Sequence, residues 1–133
     1  MRALILAAAL AVGAAQAQEA DAPEIRGVIQ DQIDAFLVDD FEEAFTHASP
    51  MIRGMFGTPE RFGAMVRQGY PMVWRPSDVE FQGQREADGS VMQRLYVRGP
   101  SGDYHYLEYE MIPTEGGWKI NGVQVIRAPG VGA

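Results

Sequence analysis

Val91-Met92-Gln93-Arg94-Leu95-Tyr96-Val97-Arg98, Gly99-Pro100-Ser101-Gly102-Asp103 and Tyr104-His105-Tyr106-Leu107-Glu108-Tyr109-Glu110-Met111-Ile112 follow one another without a break. Two alternating runs flank a segment of turn-forming residues, the pattern of a β-hairpin with one face buried. Placing Arg98 opposite Tyr104 pairs Val97 with His105, Leu95 with Leu107 and Val91 with Met111, which gathers one apolar face. The other face then carries Tyr96 against Tyr106 and Arg94 against Glu108.

Two more strands extend this hairpin. Toward the C-terminus, Pro113 to Gly117 forms a turn into Trp118–Ile126, which sets Trp118 by Met111 and Ile120 by Tyr109 on the apolar face. Val123 and Val125 are then out of phase, and a bulge at Asn121-Gly122 would restore the alternation and bend the strand. Toward the N-terminus, Asp78–Glu86 is a strand joined through Asp88-Gly89. A two-residue turn and a three-residue turn there put Val79 and Phe81 on opposite faces, so their side stays open. Short loops throughout make a four-stranded antiparallel meander. Only Ala128 to Ala133 reads as a frayed tail.

Before the strands the period is helical. Ile25, Val28, Ile29, Ile33, Phe36 and Leu37 recur at three- and four-residue steps, predicting a helix over Glu24–Leu37 that breaks at Asp39-Asp40. Asp40 with Glu43 has the form of an N-terminal cap for a second, short helix through Phe41, Ala44 and Phe45. Ser49-Pro50 can open one more turn carrying Met51, Ile52, Met55 and Phe56, ended by Gly57. Thr58-Pro59-Glu60 caps a third helix to about Gln68, burying Phe62, Met65 and Val66. Pro71 and Pro76 predict an extended connector from Tyr70 to Pro76. The fold class is therefore α+β, with three N-terminal helices packed on a curved four-stranded antiparallel meander.

The chain begins with Met1-Arg2, an apolar run from Ala3 to Ala15, and Ala15-Gln16-Ala17, with small residues at the two positions a signal peptidase reads. This predicts a cleavable signal peptide over 1–17, a single domain over 18–133, and a periplasmic or secreted protein. The apolar run falls short of the roughly 20 residues a membrane-spanning helix needs, so no membrane insertion is expected after cleavage. The chain has no cysteine, which removes disulfides, thiol catalysis and thiolate metal sites. Without residues 1–17, ten Lys and Arg stand against 18 Asp and Glu. That acidic balance argues against nucleic acid or an anionic membrane surface as partner.

Three amphipathic helices followed by a curved sheet ending in Gly116-Gly117-Trp118-Lys119-Ile120-Asn121-Gly122-Val123 resemble the nuclear transport factor two-like fold, the cystatin-like α+β cone. More narrowly, Phe56-Gly57-Thr58-Pro59, Met65-Val66, Gly69-Tyr70-Pro71, Arg75-Pro76, Ile120-Asn121-Gly122 and Arg127-Ala128-Pro129 look like a family of small exported bacterial proteins known only as a domain of unknown function. The broad resemblance implies a cone that serves isomerases, cyclases, dehydratases and non-catalytic binding modules alike. In the enzymes of that fold a carboxylate base and acid donors sit inside the cone.

The inward candidates on this register are His105, Tyr109 and Gln93, with Asp34 beside the first helix's apolar stripe, although Asp34 next to Ile33 fits a water-facing position. His105 lies either on the apolar face or at the sheet's rim by the Gly99 loop. His47 ends the second helix, where a cation suits the helix dipole. No metal-ligand spacing, phosphate loop or dinucleotide motif occurs, so no metal, cofactor or catalytic residue is assigned. Tyr70, Trp74, Tyr96, Tyr104, Tyr106 and Tyr109 are rings with polar handles of the kind that line small-ligand pockets, and more often of the kind that strands use in a core or on a sheet surface. Arg75 could close such a pocket on an anion or pair with a surface acid. The expected pocket is thus Tyr70, Trp74, Arg75, His105 and Tyr109.

The leading expectation is a non-catalytic module that binds a small apolar or amphipathic ligand, or an envelope partner. The alternatives are a small lyase or isomerase in the same cavity, and a structural homodimer through the sheet face with Tyr96 and Tyr106.

Overall fold

The computed structural model describes residues 22–126. The expected signal peptide, the Arg127-Ala128-Pro129 motif and the C-terminal tail lie outside the described residues. Helix α1 (Pro23–Leu37) opens with proline at its first position, where no amide hydrogen is required, and buries Ile25, Ile29, Ile33 and Phe36. It ends on a left-handed Asp39 (φ 58°). There the Asp40 amide donates to Ala35 O at 2.8 Å and the Asp39 amide to Phe36 O at 3.0 Å, the Schellman pattern with aspartate where glycine is usual.

Short helices follow, each started by the cap its sequence announces. Asp40 Oδ1 accepts from the Glu43 amide at 3.1 Å and begins α2 (Phe41–Thr46). Ser49 Oγ accepts from the Ile52 amide at 3.2 Å and begins α3 (Pro50–Phe56), and Thr58 Oγ1 accepts from the Arg61 amide at 3.2 Å and begins α4 (Pro59–Gly69). A left-handed Gly57 (φ 82°) separates the last two.

The extended connector expected between the two prolines is instead a single helical turn, α5 (Pro71–Trp74), so the described residues hold five helices rather than three. Tyr70 and Arg75, the residues preceding the prolines, are indeed non-helical (φ −137° and −138°). The pre-proline restriction binds those two positions only, and leaves the four residues between them free to close a turn.

The sheet is a four-stranded antiparallel meander in the order β1 (Asp78–Ala87), β2 (Ser90–Arg98), β3 (Tyr104–Thr114), β4 (Gly117–Ile126). The β2–β3 register is the one the alternation sets, from Arg98↔Tyr104 through Leu95↔Leu107 to Val91↔Met111. The open question at Val79 and Phe81 resolves through two devices acting together. The turn is the two-residue Asp88-Gly89, both left-handed (φ 53° and 84°), which alone would turn these side chains outward. An extra residue at Gln82-Gly83 shifts the ladder, so that Val79 pairs with Val97 and Phe81 with Leu95 on the core face.

The last hairpin differs from the expected register by two residues: Met111 pairs with Ile120 and Pro113 with Trp118. The turn is shorter than its composition suggested, because Thr114 Oγ1 accepts from the Gly116 amide at 3.2 Å and donates to Gly117 O at 2.7 Å. The β2–β3 ladder ends at Val91↔Met111, so Pro113 interrupts nothing on that side. An even shift keeps each side chain on its face, and the bulge at Asn121 then brings Val123 opposite Tyr109. The core lies between α1, α4 and the inner face of the sheet, with Phe36, Leu95, Leu107, Tyr109 and Met111 fully buried.

Candidate functional site: a helix-roofed apolar cavity

Alternation and helical periodicity bring enough apolar surface together to close most of the core, but not under α3. That helix buries none of its residues, and Met51 and Met55 are 54% and 64% exposed. Beneath it lies a cavity of about 380 Å³. Its walls are Phe36 on α1, Ile52 and Phe56 on α3, Phe62, Met65 and Val66 on α4, and Ile120 and Val123 on β4. Phe62 anchors an aromatic wall, its ring centroid 5.9 Å from those of Phe36 and Phe56 and 5.4 Å from that of Phe45.

The bulge on β4 holds the roof in place. The Ser49 amide donates to Ile120 O at 2.8 Å, the Ile120 amide donates to His47 O at 2.9 Å, and Ser49 Oγ donates to Asn121 Oδ1 at 2.7 Å. Asn121, the residue that the bulge adds, thereby ties the N-terminus of α3 to the sheet edge. The α3 helix hangs from this anchor over the opening.

Among the described residues two polar side chains reach the cavity, Gln32 and Tyr70. Gln32 is 2% exposed and its Nε2 donates to Ala44 O at 3.1 Å. Its place in the α1 stripe, three residues after Ile29 and four before Phe36, was readable in the sequence. A glutamine there marks a polar group carried into the apolar face.

The five residues expected to form a pocket are divided among four places. Tyr70 lines the cavity. Trp74 and Arg75 lie apart from it, around Asp39: Trp74 Nε1 donates to Asp39 Oδ1 at 2.9 Å, and Arg75 Nη2 donates to both carboxylate oxygens at 3.1 and 3.0 Å. Arg75 also donates to Phe36 O and lies 4.1 Å from the Trp74 ring centroid. These contacts hold the end of α1. Asp39 is held below the ordinary carboxylate value, first by the Trp74 hydrogen bond and then by the Arg75 bond and charge, against an opposing desolvation.

His105 is half-buried in a separate groove with Met72, Gly99 and Asp103, at the rim of the sheet. Tyr109 is wholly buried on β3, its hydroxyl meets no hydrogen-bond partner, and burial pushes the phenol well above its ordinary 10.0. Gln93 is consumed by the β1 bulge: its Nε2 donates to Gln82 O at 2.7 Å and to Arg94 O at 2.9 Å, and its Oε1 accepts from Gln84 Nε2 at 2.7 Å. Asp34 is exposed and accepts from Gln30 at 2.9 Å. His47, at the C-cap of α2, places Nε2 2.9 Å from Glu43 Oε2.

On the outer sheet face Glu108 is buried between Arg94 and Arg85, each 3.1 Å away. Beside them Tyr96 stacks with Tyr104 at 5.0 Å and tilts against Tyr106 at 4.6 Å. Among the described residues no three His, Asp or Glu side chains gather as a metal site, and no helix is long and apolar enough to cross a membrane.

Fold and site together define a small α+β protein whose helices roof an apolar cavity on one side of an open antiparallel sheet. The sequence matches the family described as a domain of unknown function, DUF4864, over residues 18–133. The chain belongs to that family. No curated protein and no solved structure matches it.

Proposed function

We propose that this protein is a non-catalytic binding module, exported from the cytoplasm, that holds a small apolar or amphipathic molecule in the cavity under α3. The observation that carries this reading is the lining itself: about 380 Å³ walled by aliphatic and aromatic side chains, with Gln32 and Tyr70 as the polar groups. That volume is at the lower end of the roughly 300–1,000 Å³ range of small-molecule sites, which commonly combine apolar walls with a few placed polar groups. The lyase or isomerase alternative needs two ionisable groups within hydrogen-bond reach of a substrate. Among the described residues the lining supplies one, the Tyr70 phenol. Export is supported by the order of Arg2, the apolar run and Ala15-Gln16-Ala17, and by a family match that starts at residue 18. Helices that precede and pack on an open antiparallel meander support a likeness to the nuclear transport factor two-like cone.

Native mass spectrometry of the protein purified from its source tests the binding reading. An added mass retained by the folded protein, and lost in Val66→Phe, is the expected result. A spectrum of bare protein at every stage of purification, with no apolar probe taken up afterwards, would sink it. The stacked Tyr96, Tyr104 and Tyr106 on the outer sheet face support a second reading, a homodimer through that face. Solution scattering should then give twice the mass of the domain, reduced to one domain in the double variant Tyr96→Glu, Tyr106→Glu.

A further inference from the structure

Gln32 sets the chemistry of what the cavity takes. Of the two atoms of its terminal amide, the one 3.1 Å from Ala44 O is the nitrogen, because an amide oxygen there would face another carbonyl oxygen. The orientation of the amide is thus fixed by the fold. No donor from the described residues is placed on its Oε1, and this oxygen, unlike the Tyr109 hydroxyl, is not sealed off, so it opens onto the cavity that Gln32 lines. A ligand that covers an open acceptor without giving it a donor bears the cost of desolvating it, whereas one that supplies the donor keeps the hydrogen bond.

Charge narrows the class further. Among the described residues no Lys, Arg, His, Asp or Glu lines the cavity, and the chain carries a net charge of −7. A carboxylate or phosphate headgroup would enter unpaired and against the overall potential, and an ammonium group would be buried without a counter-ion. A cavity of about 150 Å³ accepts benzene. One of about 380 Å³ therefore has room for an aliphatic chain or fused ring of two to three times that bulk.

Resting on the binding reading above, we infer that the ligand is a neutral, largely aliphatic alcohol whose hydroxyl donates to Gln32 Oε1 while its hydrocarbon lies against Phe36, Phe62, Val66 and Ile120. The Tyr70 phenol is the other polar group on the lining.

The test displaces the neutral fluorophore N-phenyl-naphthylamine from the purified protein with four molecules of equal chain length: decan-1-ol, methyl decyl ether, decanoate and decylamine. Decan-1-ol should compete at least about tenfold better than each of the others, since the ether accepts but cannot donate, and the two ions carry buried charge. In Gln32→Met the preference of alcohol over ether should vanish while fluorophore binding persists. Equal competition by ether and alcohol, or better competition by decanoate or decylamine, overturns the alcohol assignment and leaves the binding reading standing. Failure of the fluorophore and of all four molecules to bind overturns both. Should Gln32→Met not fold for want of its bond to Ala44, the order of the four competitors on the unaltered protein still decides.

Discussion

Tyr109 places a phenol in the middle of the core with no partner for its hydroxyl. An unpaired buried hydroxyl is a larger liability than its removal, so Tyr109→Phe should raise stability by roughly 1 kcal/mol, or about 4 °C in Tm for a domain of this size. A fall in Tm on calorimetry would mean that the hydroxyl is satisfied. Asp39 makes the opposite case. Its carboxylate is favoured in the folded state by Trp74 and Arg75, so its folded value lies below the ordinary 3.8. That stabilisation is fully present above the ordinary value and disappears as pH falls through the lowered one. Asp39→Asn keeps a side chain that tolerates the left-handed backbone but loses the charge. Urea midpoints should show the variant weaker than the unaltered protein at pH 7, with the deficit shrinking toward pH 3. A deficit of equal size at both pH values would rule the charge out as its source.

At the scale of elements, the β1 bulge shows what a buried amide can do for a strand. Gln93 binds the carbonyl of Gln82 at the point where the ladder gains a residue, and Gln84 in turn fixes the Gln93 oxygen and donates to Ala22 O at 3.2 Å. Gln93→Leu would leave the Gln82 carbonyl and the Gln84 amide facing an apolar side chain, for a loss of roughly 2–4 kcal/mol in chemical denaturation. A loss below about 1 kcal/mol would show that the bulge stands without the clip. The sequence announced the central hairpin fully, because its alternation and its loop agree on one register. It announced the Asn121 bulge too, since Val123 and Val125 were otherwise out of phase. It could not announce the bulge at Gln82-Gly83, because Val79 and Phe81 alternate equally well on either face. What decides between them is the burial of Gln93, a tertiary fact.

Across the whole molecule, the cavity was hidden for a related reason. Phe62, Met65 and Val66 read as buried residues and Ile52 and Phe56 as the apolar content of a short turn, and nothing in a one-dimensional pattern says that their side chains stop short of filling the space between them. The expected pocket gathered aromatics near the connector instead, and missed that Trp74 and Arg75 have a partner in Asp39, more than thirty positions earlier in the chain. A roof that buries no residue of its own should also open before the rest. Hydrogen exchange of the α3 amides should be faster than that of α1 and α4, and should slow when the cavity is occupied. Equal protection of all three helices in the empty protein would count against a separately opening roof.

The added residue in β1 behaves like a shift of reading frame written in three dimensions. Everything from Asp78 to Phe81 is in phase with β2 because the bulge absorbs the one residue by which β1 exceeds its partner before the turn is reached. Deleting Gly83 should therefore leave Val79 opposite Val97 and Phe81 opposite Leu95 on a regular ladder and keep melting cooperative, and loss of cooperative melting would show that the bulge does more than absorb a residue. At the unaltered length, a three-residue turn over Ala87, Asp88 and Gly89 with no bulge would put Val79 and Phe81 in the same phase. Lineages of this fold could exchange one device for the other, and two sequences aligned without regard to that exchange would appear to disagree along the whole stretch between bulge and turn while sharing the same buried side chains beyond it.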